Sequence, residues 1–164
     1  LQKSIAGKKE THYKDFYYPL DGVLDWNRIY GPKGFFQYQS VIPMGPAEEA
    51  TKEMLSVIKQ SSQGSFLGVI KTFAKKPSAG MLSFARHGVT LALDFPNRGL
   101  RTERLFEKLD KIVFEAGGTL NPSKDARMTR EMFEAGYPEI SDFLQLCDPN
   151  INSDFASRVM GRTI

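Results

Sequence analysis

Residues 89–95 read Val-Thr-Leu-Ala-Leu-Asp-Phe, and Pro96 stops the run. Apolar alternation at a period of two marks a strand with one buried face, because successive side chains point to opposite sides. Val89, Leu91, Leu93 and Phe95 form the buried set, so this segment needs a layer to pack against. Two helical patterns supply it. Over residues 46–62, Ala47, Ala50, Met54, Val57 and Ile58 recur at helical spacing. Pro46 suits the first turn, Glu48 and Glu49 its positive end, and Gly64 a stop. Over residues 101–116, Leu105, Leu109, Ile112, Val113 and Ala116 share one stripe, and Gly117-Gly118 ends it. Two more strands come earlier, at 34–42 (aromatic and β-branched, stopped by Pro43) and at 65–73. A weaker strand at 118–124 contains Pro122, which predicts a short or edge strand. The order β-α-β-β-α-β predicts an α+β, ferredoxin-like fold: a four-stranded antiparallel sheet with both helices on one face.

Turn signals organise the rest. Residues 1–33 carry Lys8-Lys9-Glu10, Tyr18-Pro19, Asp21-Gly22 and Gly31-Pro32 among Tyr13, Phe16, Tyr17, Tyr18, Trp26 and Tyr30. They predict an irregular, extended aromatic arm packed against a neighbour, with a helical turn near residues 25–30. Pro77, Gly80 and Gly88 mark 74–88 as a connection. Short helices are expected at 129–135 with Thr129 as cap, at 139–146, and at 153–160 with Ser153 as cap. The expected organisation is an arm (1–33), a ferredoxin-like domain (34–128) and a helical extension of that domain (129–164). Its 164 residues suffice for one core. A single cysteine, Cys147, excludes an internal disulfide and a cysteine-built zinc site, and His12 and His87 leave little for any metal. A net charge of +3 is too small for a strong nucleic-acid footprint. No signal-peptide pattern or membrane-length apolar run is present, so a cytoplasmic location is expected, with peripheral membrane association of the parent left open. The start at Leu1 rather than Met suggests a piece of a longer protein.

The face away from the helices has no helix of its own to cover it. Alternation sends Thr90 and Ala92 there from the third strand, and Gln37 and Gln39 from the first. In the second strand, Leu67, Val69, Lys71 and Phe73 are expected on the same side, because Lys71 under the helices would lose its hydration. Two amides, a lysine and a threonine among apolar groups fit a ligand pocket; a partly wet sheet face with incidental polar groups fits equally well. Lys124-Asp125-Ala126-Arg127 offers the same choice. It reads as a solvated turn, or as a lysine aimed at developing negative charge on a loop fixed by Asp125 and Arg127. There is no P-loop, G-x-G-x-x-G, H-E-x-x-H or G-x-S-x-G. Lys33-Gly34-Phe35 matches only the start of an RNA-recognition signature, and Phe36 and Gln37 break it. A stand-alone ferredoxin-like module for RNA or a small effector remains the alternative reading.

Several segments together carry a resemblance. They are Tyr18-Pro19-Leu20-Asp21, Asp25-Trp26-Asn27-Arg28-Ile29-Tyr30-Gly31, Phe36-Gln37-Tyr38-Gln39, Leu91-Ala92-Leu93-Asp94-Phe95-Pro96, Lys124-Asp125-Ala126-Arg127 and Tyr137-Pro138. From about Tyr17 onward the chain resembles the C-terminal, substrate-side domain of FAD-linked oxidoreductases of the vanillyl-alcohol-oxidase type. The resemblance implies a parent that binds FAD mainly through an N-terminal FAD-binding domain, which does not use the dinucleotide fingerprint. The present domain would cover the flavin ring and form the pocket for a sugar-like small-molecule substrate, a secondary alcohol oxidised to a ketone. No nucleic acid and no metal are implied, and the isolated chain would be inactive. Gln37 and Gln39 would read hydroxyls, Lys71 would be a substrate-side cation, Tyr30 a pocket wall, and Thr90 would share the substrate face. Lys124 would lie near the N1/C2=O edge of the flavin, where positive charge stabilises the anionic reduced ring. Asn121 stands where related enzymes place a tyrosine beside the flavin, and Ala92 where related sugar oxidases have a cysteine. These two departures bear on substrate identity more than on flavin chemistry.

Overall fold

A computed structural model describes residues 10–124 and 127–163. The turn at Lys8-Lys9 and the proposed loop partner Asp125 lie outside the described residues. The arm is not wholly extended. It holds α1 (Tyr13–Tyr17), started by the His12 side chain accepting from the Lys14 N–H, and a 3-10 helix, Trp26–Tyr30, at the place where the sequence predicts a helical turn. Gly31 closes that turn at φ 90° and ψ −178°, a region open almost only to glycine.

The sheet contains β1 (Phe35–Ile42), β2 (Gly68–Phe73), β3 (Gly88–Pro96) and β4 (Thr119–Leu120), in the order β2-β3-β1-β4 with every pairing antiparallel. With α2 (Ala47–Ser61) after β1 and α3 (Leu100–Glu115) after β3, the element order is the βαββαβ expected from the sequence. Leu91, Leu93, Phe95, Tyr38 and Ile42 pack under Met54, Leu105, Phe106 and Leu109. The same buried cluster continues into Met128, Met132, Phe133, Tyr137 and Val159. Burial of such side chains is worth about 1.5–3 kcal/mol each.

Three boundaries are set by a short polar side chain that competes for backbone groups, the first at the expected residue and the third in the short edge strand that Pro122 predicts. First, α2 ends at Ser62 in the left-handed region (φ 53°), before Gly64, where the Ser61 hydroxyl donates to Ile58 O and accepts from Gln63 N–H. Second, β2 begins at Gly68 rather than Ser65, because the Ser65 hydroxyl bonds the Leu67 carbonyl and accepts from Asp94 N–H. Third, β4 is two residues long, because Asn121 Oδ1 takes the Ser123 N–H and turns the chain. Since β4 pairs only with Ser40 and Val41, the first half of β1 has no strand partner on that side among the described residues.

The C-terminal helices are α4 (Arg130–Gly136), α5 (Ile140–Gln145) and α6 (Asp154–Met160). Thr129 and Ser153 cap α4 and α6 as expected, accepting from Met132 and Ala156 N–H. They correct one expectation: the face away from α2 and α3 is not bare. A Cβ on Gly136 would sit 2.0 Å from Thr119 Oγ1, so α4 lies directly on β4 from that side. Arg86, from the β2–β3 connection, stacks over Tyr137 at 5.3 Å. The arm covers the opposite end. No helix among the described residues is long and apolar enough to cross a membrane.

Candidate functional site

Between these two covers lies a strip of polar side chains. Cross-strand register assigns it: Gln37 opposes Asp94, Gln39 opposes Ala92, and Lys71 opposes Thr90. Directly opposed residues share a face, so the parity read from the sequence, Lys71 included, agrees with the register. Gln39 is the centre. Its Nε2 donates to Thr90 Oγ1 at 3.2 Å, and its Oε1 accepts from Asn121 Nδ2 at 2.8 Å. One amide thereby ties β1 to both β3 and the end of β4. Thr90 is buried and Asn121 half-buried.

Lys124 follows on a tight turn. Its N–H donates to Asn121 O at 3.1 Å, while Asn121 Oδ1 accepts from both Ser123 N–H and Ser123 Oγ. The far end of the loop is held by Arg127, whose guanidinium makes a fork to Asp110 (2.7 and 2.8 Å) and lies over the Phe106 ring. Tyr38 donates to the same carboxylate at 3.0 Å. The Lys124 side chain is exposed. One small hollow of about 10 Å³ opens at the unpaired edge of β1, lined by Phe36, Tyr38, Phe106, Leu120 and Arg127 from the helix side as well as by Gln37, Gln39, Asn121 and Lys124. Lys71 does not reach this hollow. It stands exposed across β3, linked to the set through its neighbour Thr90. A larger groove of about 510 Å³ lies along the outer side of α3, among Glu103, Glu107, Phe114 and Met132. It shares Arg127 with the hollow and none of the expected site residues.

At the arm end, Tyr30 donates to Asp94 Oδ2 at 3.2 Å and stacks on Phe35. Burial first, then the negative charge of Asp94, push the Tyr30 hydroxyl up to about 12. Trp26 Nε1 donates to the same oxygen at 3.4 Å, and Gln37 Nε2 to Asp94 Oδ1 at 2.9 Å. Asp94 is 1% exposed. The sequence reading missed it as a site residue. The signal was present: a carboxylate at the open parity of a half-buried strand has to find donors. Trp26 and Asp110 were missed too, since nothing in their local pattern names a partner so far along the chain. The inner positions of the face, Gln37, Gln39, Thr90 and Ala92, are amides, a hydroxyl and a methyl. An RNA-stacking sheet needs aromatic rings there.

No protein-family model matches the chain. It is similar to decaprenylphosphoryl-beta-D-ribose oxidase of Mycolicibacterium smegmatis, 40% identical over 156 residues, which are 92% of this chain and 33% of that protein. It is also similar to an "uncharacterized protein in mprA 5'region" of Streptomyces coelicolor, 30% identical over 143 residues, 84% of this chain and 38% of that protein. The chain thus spans 33% and 38% of the length of these relatives.

Proposed function

From the premise that the chain is homologous to part of an FAD-linked oxidase, we propose that it is the substrate-side portion of an FAD-dependent oxidoreductase. The parent would oxidise a sugar-like secondary alcohol, with the flavin held mainly by a lobe outside this chain. The observation that carries the reading is the Thr90–Gln39–Asn121 chain of hydrogen bonds ending at the turn of Lys124. Ordered amides on a sheet face suit hydroxyl recognition, and an exposed cation beside them suits an anionic partner.

The residues present fit an edge contact to FAD and not a binding site for it. The hollow of about 10 Å³ has no room for a tricyclic ring, whereas the Lys124 side chain is exposed at its rim. Bound FAD supplies the acceptor for the hydride that leaves the substrate C–H. What this chain contributes is positioning and charge. Gln37 and Gln39 orient hydroxyls, Thr90 and Asn121 hold Gln39, Tyr30 walls the arm end, and Lys71 offers a cation to an anionic substrate group. Lys124 places its ammonium where negative charge develops, worth about 10²–10³ in rate for a preorganised donor. The relative's name carries a phosphoribosyl substrate, so β-D-ribosyl phosphodiesters are the first compounds to test.

The test is anaerobic mixing of the full-length parent with a β-D-ribosyl phosphodiester. Loss of the oxidised-flavin absorbance on mixing supports the reading. A parent that contains no flavin, or whose flavin no sugar alcohol bleaches, overturns it.

A further inference from the structure

Asp94 has a use that the proposed chemistry has not absorbed. It is a buried carboxylate whose partners are all neutral donors: Gln37 Nε2 at 2.9 Å, Tyr30 Oη at 3.2 Å and Trp26 Nε1 at 3.4 Å. A carboxylate only accepts. It therefore decides which end of the Gln37 amide faces it, since an amide can offer it only its NH2 end. Gln37 Oε1 is left with no hydrogen bond among the described residues, and Gln37 is only half-buried on the polar face it shares with Gln39 and Thr90.

We infer that Asp94 is a positioning residue that orients Gln37 so that its carbonyl oxygen, not its NH2 group, is presented to the ligand. Resting on the functional reading above, this makes Gln37 an acceptor for a substrate hydroxyl proton. It also makes the seating of the 3-10 helix part of the same network, because Trp26 and Tyr30 use the second oxygen of the carboxylate. Substrates with a hydroxyl at this point are favoured over those with a carbonyl or ether oxygen, which would face Gln37 Oε1 lone pair to lone pair.

The test uses an inversion of donor and acceptor. In Asp94→Asn the new carboxamide donates through its nitrogen, so Gln37 turns its oxygen inward and its NH2 toward the ligand. In Asp94→Asn with Gln37→Glu, a donor faces an acceptor again and a carboxylate oxygen faces the ligand. On the 164-residue chain, NMR should show slowed exchange of the Gln37 side-chain NH2 in the wild type and loss of that protection in Asp94→Asn. In the double variant, the side-chain NH2 introduced at position 94 should exchange slowly instead. In the full-length parent, KM for a β-D-ribosyl phosphodiester should rise about tenfold in Asp94→Asn, as expected for one lost hydrogen bond, with kcat little changed. The double variant should restore KM. A freely exchanging Gln37 NH2 in the wild type overturns the inference and leaves the oxidoreductase reading standing. Slowed exchange with no flavin bleaching leaves the orientation standing and removes the function it was meant to serve. A KM unchanged in Asp94→Asn, or raised and not restored in the double variant, overturns the positioning role.

Discussion

Asn121 Nδ2 donates to Gln39 Oε1 at 2.8 Å, joining residues 82 apart in sequence across the shortest strand pairing of the sheet. The same Asn121 builds the turn that carries Lys124. Asn121→Ala removes both contacts and leaves a half-buried amide oxygen without its donor. We expect a loss of about 1–2 kcal/mol, read by urea denaturation. Asn121→Asp should cost less, because Gln39 can turn its NH2 to the new carboxylate while the Thr90 hydroxyl donates to its oxygen.

The Lys124 loop is held at its other end by the Arg127–Asp110 fork, whose side chains are 23% and 20% exposed. Both charges are partly desolvated, so removing one partner strands the other without its counter-charge. Arg127→Ala and Asp110→Ala should each destabilise by about 1–3 kcal/mol, with the double variant well short of their sum. A double-mutant cycle measures the coupling.

Gly136→Ala tests the cover over β4. The added methyl would meet Thr119 Oγ1 at 2.0 Å. Overpacking of this kind costs about 1–3 kcal/mol. Thr119→Ala removes the hydroxyl but leaves its Cβ 2.9 Å from the added methyl, so it should relieve only part of the cost, and Thr119→Gly should relieve more. Thermal melts of the single and combined variants decide.

Two tyrosines set an alkaline limit. Tyr30 and Tyr137 are each raised from 10.0 to about 12, chiefly by burial. The Tyr30 hydroxyl is pushed further by Asp94, while Thr119 and Arg86 pull Tyr137 the other way. A group that holds its proton more tightly when folded stabilises fully below its unfolded pKa and loses that contribution as pH rises through its folded value. Stability from these groups should therefore be flat below about pH 10 and fall between about pH 10 and 12. Tyrosinate absorbance in the ultraviolet should show two tyrosines titrating late, one fewer in Tyr137→Phe.

Much of the architecture was legible in the sequence because it rests on periodicity. The alternation of Val89–Leu91–Leu93–Phe95, the stripes of α2 and α3, and the caps Thr129 and Ser153 act locally, and the structure keeps them. The start of β2 at Gly68 and the end of β4 at Leu120 were not legible to the residue, because a hydroxyl and an amide decide them through bonds that no pattern displays. The site was half legible. Parity placed Gln37, Gln39, Thr90 and Lys71 on one face, but it could not show that Asp94 organises one end of that face and Asp110 holds the loop at the other. Those are long-range partnerships fixed by the way the arm and α3 pack.

The central claim is that the polar strip and the exposed ammonium of Lys124 serve a flavin held by the rest of the parent. Stopped-flow reduction of the flavin in the full-length parent, wild type against Lys124→Ala, tests it most directly. Because Lys124 is exposed, the melting temperature should barely move, while the reduction rate should fall about 100-fold or more. A reduction rate equal to that of the wild type would contradict the account.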